Sequence, residues 1–241
     1  MLGFSGYARH PLSAGQRVVL NWGISATRYE TDNLNNLDTN LALVYERATR
    51  TGRWFLSPYY RKTSRPENAS HRLQGLRLGM NSRLTVQDQL NFTLLRERRI
   101  FPNHLHLEGP FASVLLNLSH QLSPSQSIQL GLGVERSSPQ SEHLRYVGTK
   151  VSLSTKQDWQ GGLQTSFGLE LGQHDFVGNY PLTNSPRADD FSRLNATLQH
   201  ARVEFFGYRP SLSCLHHINR SNVVFYDYKV TECRITVSRN F

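Results

Sequence analysis

Long apolar runs are missing from this chain. No stretch of its 241 residues approaches the roughly 18 consecutive apolar residues that a membrane-spanning helix needs, so a helical membrane protein is excluded. The N-terminal MLGFSGYARH has neither a basic leader nor a continuous apolar core, so it is not a secretory signal peptide. A soluble protein would then be cytoplasmic, whereas an exported one would need its signal upstream. There are only two cysteines, Cys214 and Cys233. No CxxC or Cys/His spacing accompanies them, so a metal site is not indicated, and we take them as small apolar-phase residues rather than a disulfide. No glycine-rich phosphate loop opens a helix. No catalytic constellation stands out, and we expect no enzyme and no cofactor. The adjacent His216 and His217 point to opposite sides of a strand and do not suit one metal ion. Asp189 and Asp190 fall in the longest polar break and read as solvated. A net charge of +9 raises the possibility of nucleic acid. However, the basic residues are scattered, with groups at Arg61, Lys62, Arg65 and at Arg96, Arg98, Arg99 near expected hairpin ends, so nucleic acid is not expected.

What the chain does have is alternation. Leu76, Leu78 and Met80 alternate with Arg77, Gly79 and Asn81, and Ile128, Leu130, Leu132 and Val134 with Gln129, Gly131, Gly133 and Glu135. The same period of two marks Leu90–Leu94, Val114–Leu118, Val151–Leu153 and Leu163–Leu171. Short breaks at 13–16, 50–53, 85–88, 123–126, 160–162 and 207–210 alternate with longer polar breaks at 31–37, 65–71, 102–109, 137–146, 178–190 and 219–228. That rhythm predicts a meander of about thirteen antiparallel strands, each about ten residues long, the length of a tilted membrane strand. A soluble barrel or sandwich alternates as well, but soluble barrels usually close near eight strands. Aromatic residues gather at strand ends, at Trp54, Phe55, Tyr59, Tyr60, Phe101, Phe111, Tyr146, Trp159, Phe176, Phe205, Phe206 and Tyr208, as interfacial girdles would. Trp22 does not fit that pattern.

The expected fold is therefore all-β, an antiparallel up-and-down transmembrane β-barrel. Because single-chain bacterial barrels have an even number of strands, thirteen predicts a fourteenth. The domain over 1–241 would then be an N-terminally truncated outer-membrane barrel. In the final strand, Cys233, Ile235, Val237 and the terminal Phe241 share one phase, and we read them as a signal presented to the barrel-assembly machinery.

The C-terminal segment GYRPSLSCLHHINRSNVVFYDYKVTECRITVSRNF resembles the closing part of the surface lipoprotein assembly modulator (Slam) family. Gly207, Pro210 and Leu212 match its G-x-x-P-x-L turn and strand. Ser221, Asn222, Phe225, Tyr226 and Tyr228 match its S-N-x-x-F-Y-x-Y loop, and Arg239 and Phe241 its ending. Ser57–Lys62 is similar to a P-F/Y-Y-basic strand of the same barrels. Arg220 stands where the family has an acidic residue. The resemblance implies a fourteen-stranded outer-membrane barrel preceded by a periplasmic tetratricopeptide domain, which this chain lacks together with the first strand. It also implies that the barrel moves client lipoproteins or secreted proteins to the cell surface. The expected function is accordingly a monomeric translocator in the bacterial outer membrane, with the lipid bilayer, the barrel-assembly machinery and a client protein as partners. A porin or passive channel, a non-functional barrel fragment, and a soluble β protein are the alternatives.

Overall fold

A computed structural model describes residues 2–27, 35–65, 70–204 and 208–239. Phe205, Phe206, Gly207, Phe241 and most of the 31–37 and 65–71 breaks lie outside these residues. The strands are β1 (Leu2–Ser13), β2 (Gln16–Thr27), β3 (Asn36–Ala48), β4 (Gly52–Ser64), β5 (His71–Arg83), β6 (Asp88–Ile100) and β7 (Gly109–Ser123). They continue as β8 (Gln126–Ser137), β9 (Tyr146–Asp158), β10 (Leu163–Asn179), β11 (Pro186–His200), β12 (Tyr208–Ser221) and β13 (Tyr228–Arg239). No helix among the described residues is long and apolar enough to cross a membrane.

Every strand pairs antiparallel with its sequence neighbours, in the order β1 through β13. This is the meander that the alternating short and long breaks imply. The closed barrel does not form. Among the described residues β1 pairs only with β2 and β13 only with β12, so the sheet is open, with two free edges. An open sheet encloses no pore, so it has no lumen through which a translocator or a porin would pass anything, and lipid would meet unpaired edge groups. The transmembrane β-barrel and the outer-membrane bilayer as its embedding partner fall with the closure. The alternation itself was a property of one strand face, and any one-sided sheet shows it.

Local chemistry explains the irregularities. In the β1–β2 turn Gly15 has φ +79°, a left-handed conformation that costs glycine nothing because it has no Cβ. Pro58 sits in the interior strand β4, where it cannot donate to a ladder. The β3–β4 register accordingly runs from Leu41↔Tyr60 and Ala42↔Tyr59 to Tyr45↔Leu56, skipping the rungs at Ser57 and Pro58.

The two faces are inverted relative to a soluble sheet. The apolar face is open: Leu132, at 51% exposure, is typical of its leucines and valines, and Trp54, Tyr60 and Trp159 are exposed among them. The polar face is the better buried one, and it holds Ser57, Thr63, Glu97, Asp189 and Asn219. Phe111 and Phe176 are buried on this side, so the expected girdle aromatics are not one population.

Glycines allow the polar face to close over itself. Gly75 lies between Tyr59 and Glu97 in the pairing of β4, β5 and β6, and the Tyr59 hydroxyl donates to Glu97 across it. Gly148 lies in the same way between Glu135 and His174, whose side chains meet at 3.3 Å. A Cβ on Gly148 would come within 2.5 Å of the His174 ring.

Candidate functional site: a cavity on the polar face

The polar side chains converge most strongly toward the long-loop end of β6–β13. Along β11 the residues Arg187, Asp189 and Phe191 alternate as buried with the exposed Pro186, Ala188 and Asp190. Sequence reasoning put Asp189 and Asp190 in a solvated loop. The loop is shorter than the break implied, because β10 extends to Asn179 and β11 begins at Pro186. Proline as the first residue of a strand is tolerated, but it reads as loop when charged residues follow it. The usable signal was the period of two in Arg187, Asp189, Phe191 and Arg193.

Neighbouring strands bring partners to the same level. His174 of β10 pairs with Asp189, and His217 and Asn219 of β12 pair with Arg193 and Phe191. Asn219 in turn pairs with Tyr228 of β13. Together with Arg99, Tyr146, Phe176 and Tyr226 these residues line a cavity of about 370 Å³. A larger depression, about 1050 Å³, lies at the short-turn end and includes Arg17, Arg53, Arg83 and the highly exposed Val86. We take the smaller cavity as the site because buried charge and aromatic rings meet there.

Electrostatically the cavity is balanced. Arg187 reaches Asp189 at 3.2 Å, Arg99 reaches Glu97 at 2.8 Å, and Arg193 reaches Glu170 at 2.9 Å. The guanidinium groups also lie over rings, where the π cloud attracts a cation. Arg187 lies 3.7 Å from the centre of Phe176 and 3.6 Å from that of Tyr226, and Arg99 lies 3.7 Å from Phe111. His217 stands edge-on to Phe191 and Tyr228, and burial, followed by the Arg193 charge, holds its imidazole below the ordinary value. Burial, then the Glu135 carboxylate that its hydroxyl meets at 3.0 Å, pushes Tyr146 up to about 12.

Three hydrogen-bonding atoms here have no protein partner: Arg187 Nε, Asp189 Oδ1 and His217 Nε2. Leaving such a group unsatisfied costs about 1–3 kcal/mol each; the three atoms belong to cavity-lining residues but are themselves closed off from water.

The hydrogen bond from His174, then burial opposing it, then the Tyr146 hydroxyl set the Glu135 carboxyl, with a net lowering from its ordinary 4.5. The folded value lies below the unfolded one, so this pairing stabilises the fold above pH 4.5 and the contribution is lost as pH falls through the lowered value. His174→Gln is expected to move the Glu135 titration, followed by NMR of its carboxyl carbon, upward toward 4.5. An unmoved titration would rule out the imidazole as the cause.

The residues singled out from sequence separate into two groups. Cys233, Ile235 and Val237 lie on β13, and Ile235 and Val237 are exposed on the apolar face. Cys233 is bonded to Cys214, which corrects the reading of the two as separate small residues. They occupy directly opposite rungs of β12 and β13, a placement that phase alone did not reveal. Pro210 and Leu212 pair with Val237 and Ile235.

The Ser221–Tyr228 segment instead closes the cavity. The Ser221 hydroxyl accepts from Val223 N–H at 3.1 Å. The Asn222 side chain accepts from Ala188 N–H and donates to the Pro186 carbonyl, both at 2.9 Å. That side chain acts as one more rung for β11 and secures the loop. Phe225 points out and is exposed, whereas Tyr226 covers Arg187 and Tyr228 meets His217. His216 turns to the other side and meets Thr231 at 2.8 Å.

Among the described residues no group of three or more His, Cys, Asp or Glu side chains could hold a metal ion. No curated protein matches the chain. The model of the surface lipoprotein assembly modifier family matches residues 7–241. That match spans the sheet and the loop that closes the cavity, and the chain belongs to the surface lipoprotein assembly modifier family.

Proposed function

We propose that the chain serves surface-lipoprotein assembly at the bacterial outer membrane by holding a segment of a client polypeptide at the polar-face cavity. The family is one of assembly modifiers. The chain's contribution is non-covalent. The observation that carries the reading is the cavity of about 370 Å³ walled by aromatic rings and paired charges, beneath the Ser221–Tyr228 loop. A polypeptide segment offers both donors and acceptors to such polar walls, and its side chains suit the rings.

The test is photocrosslinking in cells that display a tagged surface lipoprotein. A photoreactive phenylalanine analogue replaces Tyr228, which lines the cavity, or Trp159, in the turn between β9 and β10. Adduct with the lipoprotein is expected at position 228 and not at 159. Equal adduct at both, or at 159 alone, would remove the cavity from the proposal.

A further inference from the structure

The depression of about 1050 Å³ at the short-turn end carries an excess of positive charge. Four arginines line it, Arg17, Arg50, Arg53 and Arg83, and Glu46 is the only carboxylate among its described lining residues. Both oxygens of Glu46 are already engaged: Oε2 takes Arg17, and Oε1 meets Arg53 at 3.5 Å. Arg50 and Arg83 have no carboxylate partner among the described residues. Both are exposed. Their backbones lie close together, because Arg83 N–H donates at 2.7 Å to the carbonyl of Thr51, the residue after Arg50. The two guanidinium groups can therefore converge on one anionic ligand.

The walls narrow the ligand class. Arg17 faces Glu46, and Arg53 faces Asn81, on paired rungs. The residues that alternate with them, such as Trp54, Leu56 and Leu78, are exposed on the apolar face. The depression therefore opens on the polar side of the sheet, where the acyl chains of a lipid held by its headgroup would meet polar side chains. No aromatic ring lines it among the described residues, so a nucleotide base has nothing to stack on. A polypeptide segment meets neither objection. Guanidinium forks suit carboxylates, and this wall already holds the Glu46 carboxylate between two of them. Asn81 beside them offers a donor and an acceptor to a peptide backbone. The exposed Leu84 and Val86 can take an apolar side chain.

We propose that this depression binds an acidic segment of a polypeptide, with carboxylates of the segment paired to Arg50 and Arg83. Its volume of about 1050 Å³ stands at the upper end of the roughly 300–1,000 Å³ of small-ligand sites, room for a few residues. An exposed ion pair contributes little by itself and is screened by salt. Selectivity comes from one ligand making several such pairs, with Arg50, Arg83 and the outer side of Arg53 together. The site is separate from the cavity beneath the Ser221–Tyr228 loop, and only the attribution of the segment to a client rests on the client reading.

The experiment adds the whole chain to fluorescently labelled tetraglutamate at physiological ionic strength and follows the anisotropy. Saturable binding is expected, and labelled tetraglutamine should not bind. The double variant Arg50→Ala with Arg83→Ala should weaken tetraglutamate about tenfold, the worth of one charge-assisted contact. Arg96→Ala with Arg98→Ala removes the same charge from exposed positions of β6 on the other face and should leave binding unchanged. A tetraglutamate carrying a photoreactive group should label the unaltered chain within 81–89 or 46–53, which locates the site even if the first double variant does not fold. Four results would each overturn the proposal: no saturable binding, tetraglutamine matching tetraglutamate, equal losses in the two double variants, or labelling elsewhere. Inorganic pyrophosphate displacing the label at lower concentration than unlabelled tetraglutamate would also overturn it, in favour of a phosphate ligand. Tetraglutamate binding without a crosslink at position 228 would remove the cavity reading and leave this site. A crosslink at 228 without tetraglutamate binding would do the reverse.

Discussion

Asp189→Ala is expected to destabilise the protein by about 3–5 kcal/mol, the cost of breaking a buried ion pair from one side. The carboxylate is the counter-ion of Arg187 at 3.2 Å, and the two side chains are 5% and 10% exposed. Once the carboxylate is gone, the guanidinium remains held between Phe176 and Tyr226 and cannot easily reach water. The rings attract the cation, but that attraction, about 2 kcal/mol when desolvated, does not replace a full counter-charge. The double variant Arg187→Met with Asp189→Ala removes the stranded cation and should recover most of the loss. Urea unfolding of the three proteins measures it. A single variant that loses under about 1 kcal/mol, or a double variant no more stable than the single, would mean that the pair is not the buried unit described.

Loss of the Cys214–Cys233 bond should be the other large effect. The bond closes a segment with a sequence separation of 19, and a cross-link of that size is worth about 3 kcal/mol through the entropy it removes from the unfolded chain. The double variant Cys214→Ser with Cys233→Ser should therefore unfold at lower denaturant. Because among the described residues β13 is an edge strand that pairs only with β12, the change should be concentrated there. Hydrogen exchange should rise along Lys229–Val237 and stay near its former rate in β7–β9. Cys233 is exposed, so a thiol reductant should reproduce the result without mutation. An unchanged unfolding midpoint under reducing conditions would show that the bond contributes nothing to the fold.

The strands were legible because each reports on its own neighbours. The run Ile128–Val134 declares its two faces within seven residues, and the breaks on either side declare the hairpins. Closure is different in kind. Whether β1 meets β13 depends on accumulated twist and tilt over the whole sheet, and no local window contains it. The Cys214–Cys233 bond was missed for a related reason. Both residues lie on one phase, but phase does not fix register, and only the rung-by-rung pairing puts them opposite each other. The cavity was half legible. Asn222, Tyr226 and Tyr228 were singled out by the family resemblance, and the structure gives them physical work as a loop clamp, a lid over Arg187 and a ring against His217. Arg187 and Asp189 were hidden because charged residues after a proline look like loop unless their alternation with Phe191 is counted. His174 carried no motif, and His217 was weighed only as half of an adjacent histidine pair; that both pack against Phe191 is a product of register.

The strictly sequential strand order also determines how the molecule would come apart. Among the described residues each strand pairs only with the strand before it and the strand after it, so the fold behaves mechanically like a row of zippers. A pull on the C-terminus would load β13 first, peeling its rungs one at a time instead of shearing them together. The Cys214–Cys233 link stops that peeling partway along the strand, passing the load to β12 and so to the β11 ladder that carries Arg187 and Asp189. The bond thus ties the outermost strand of one edge to the wall of the cavity.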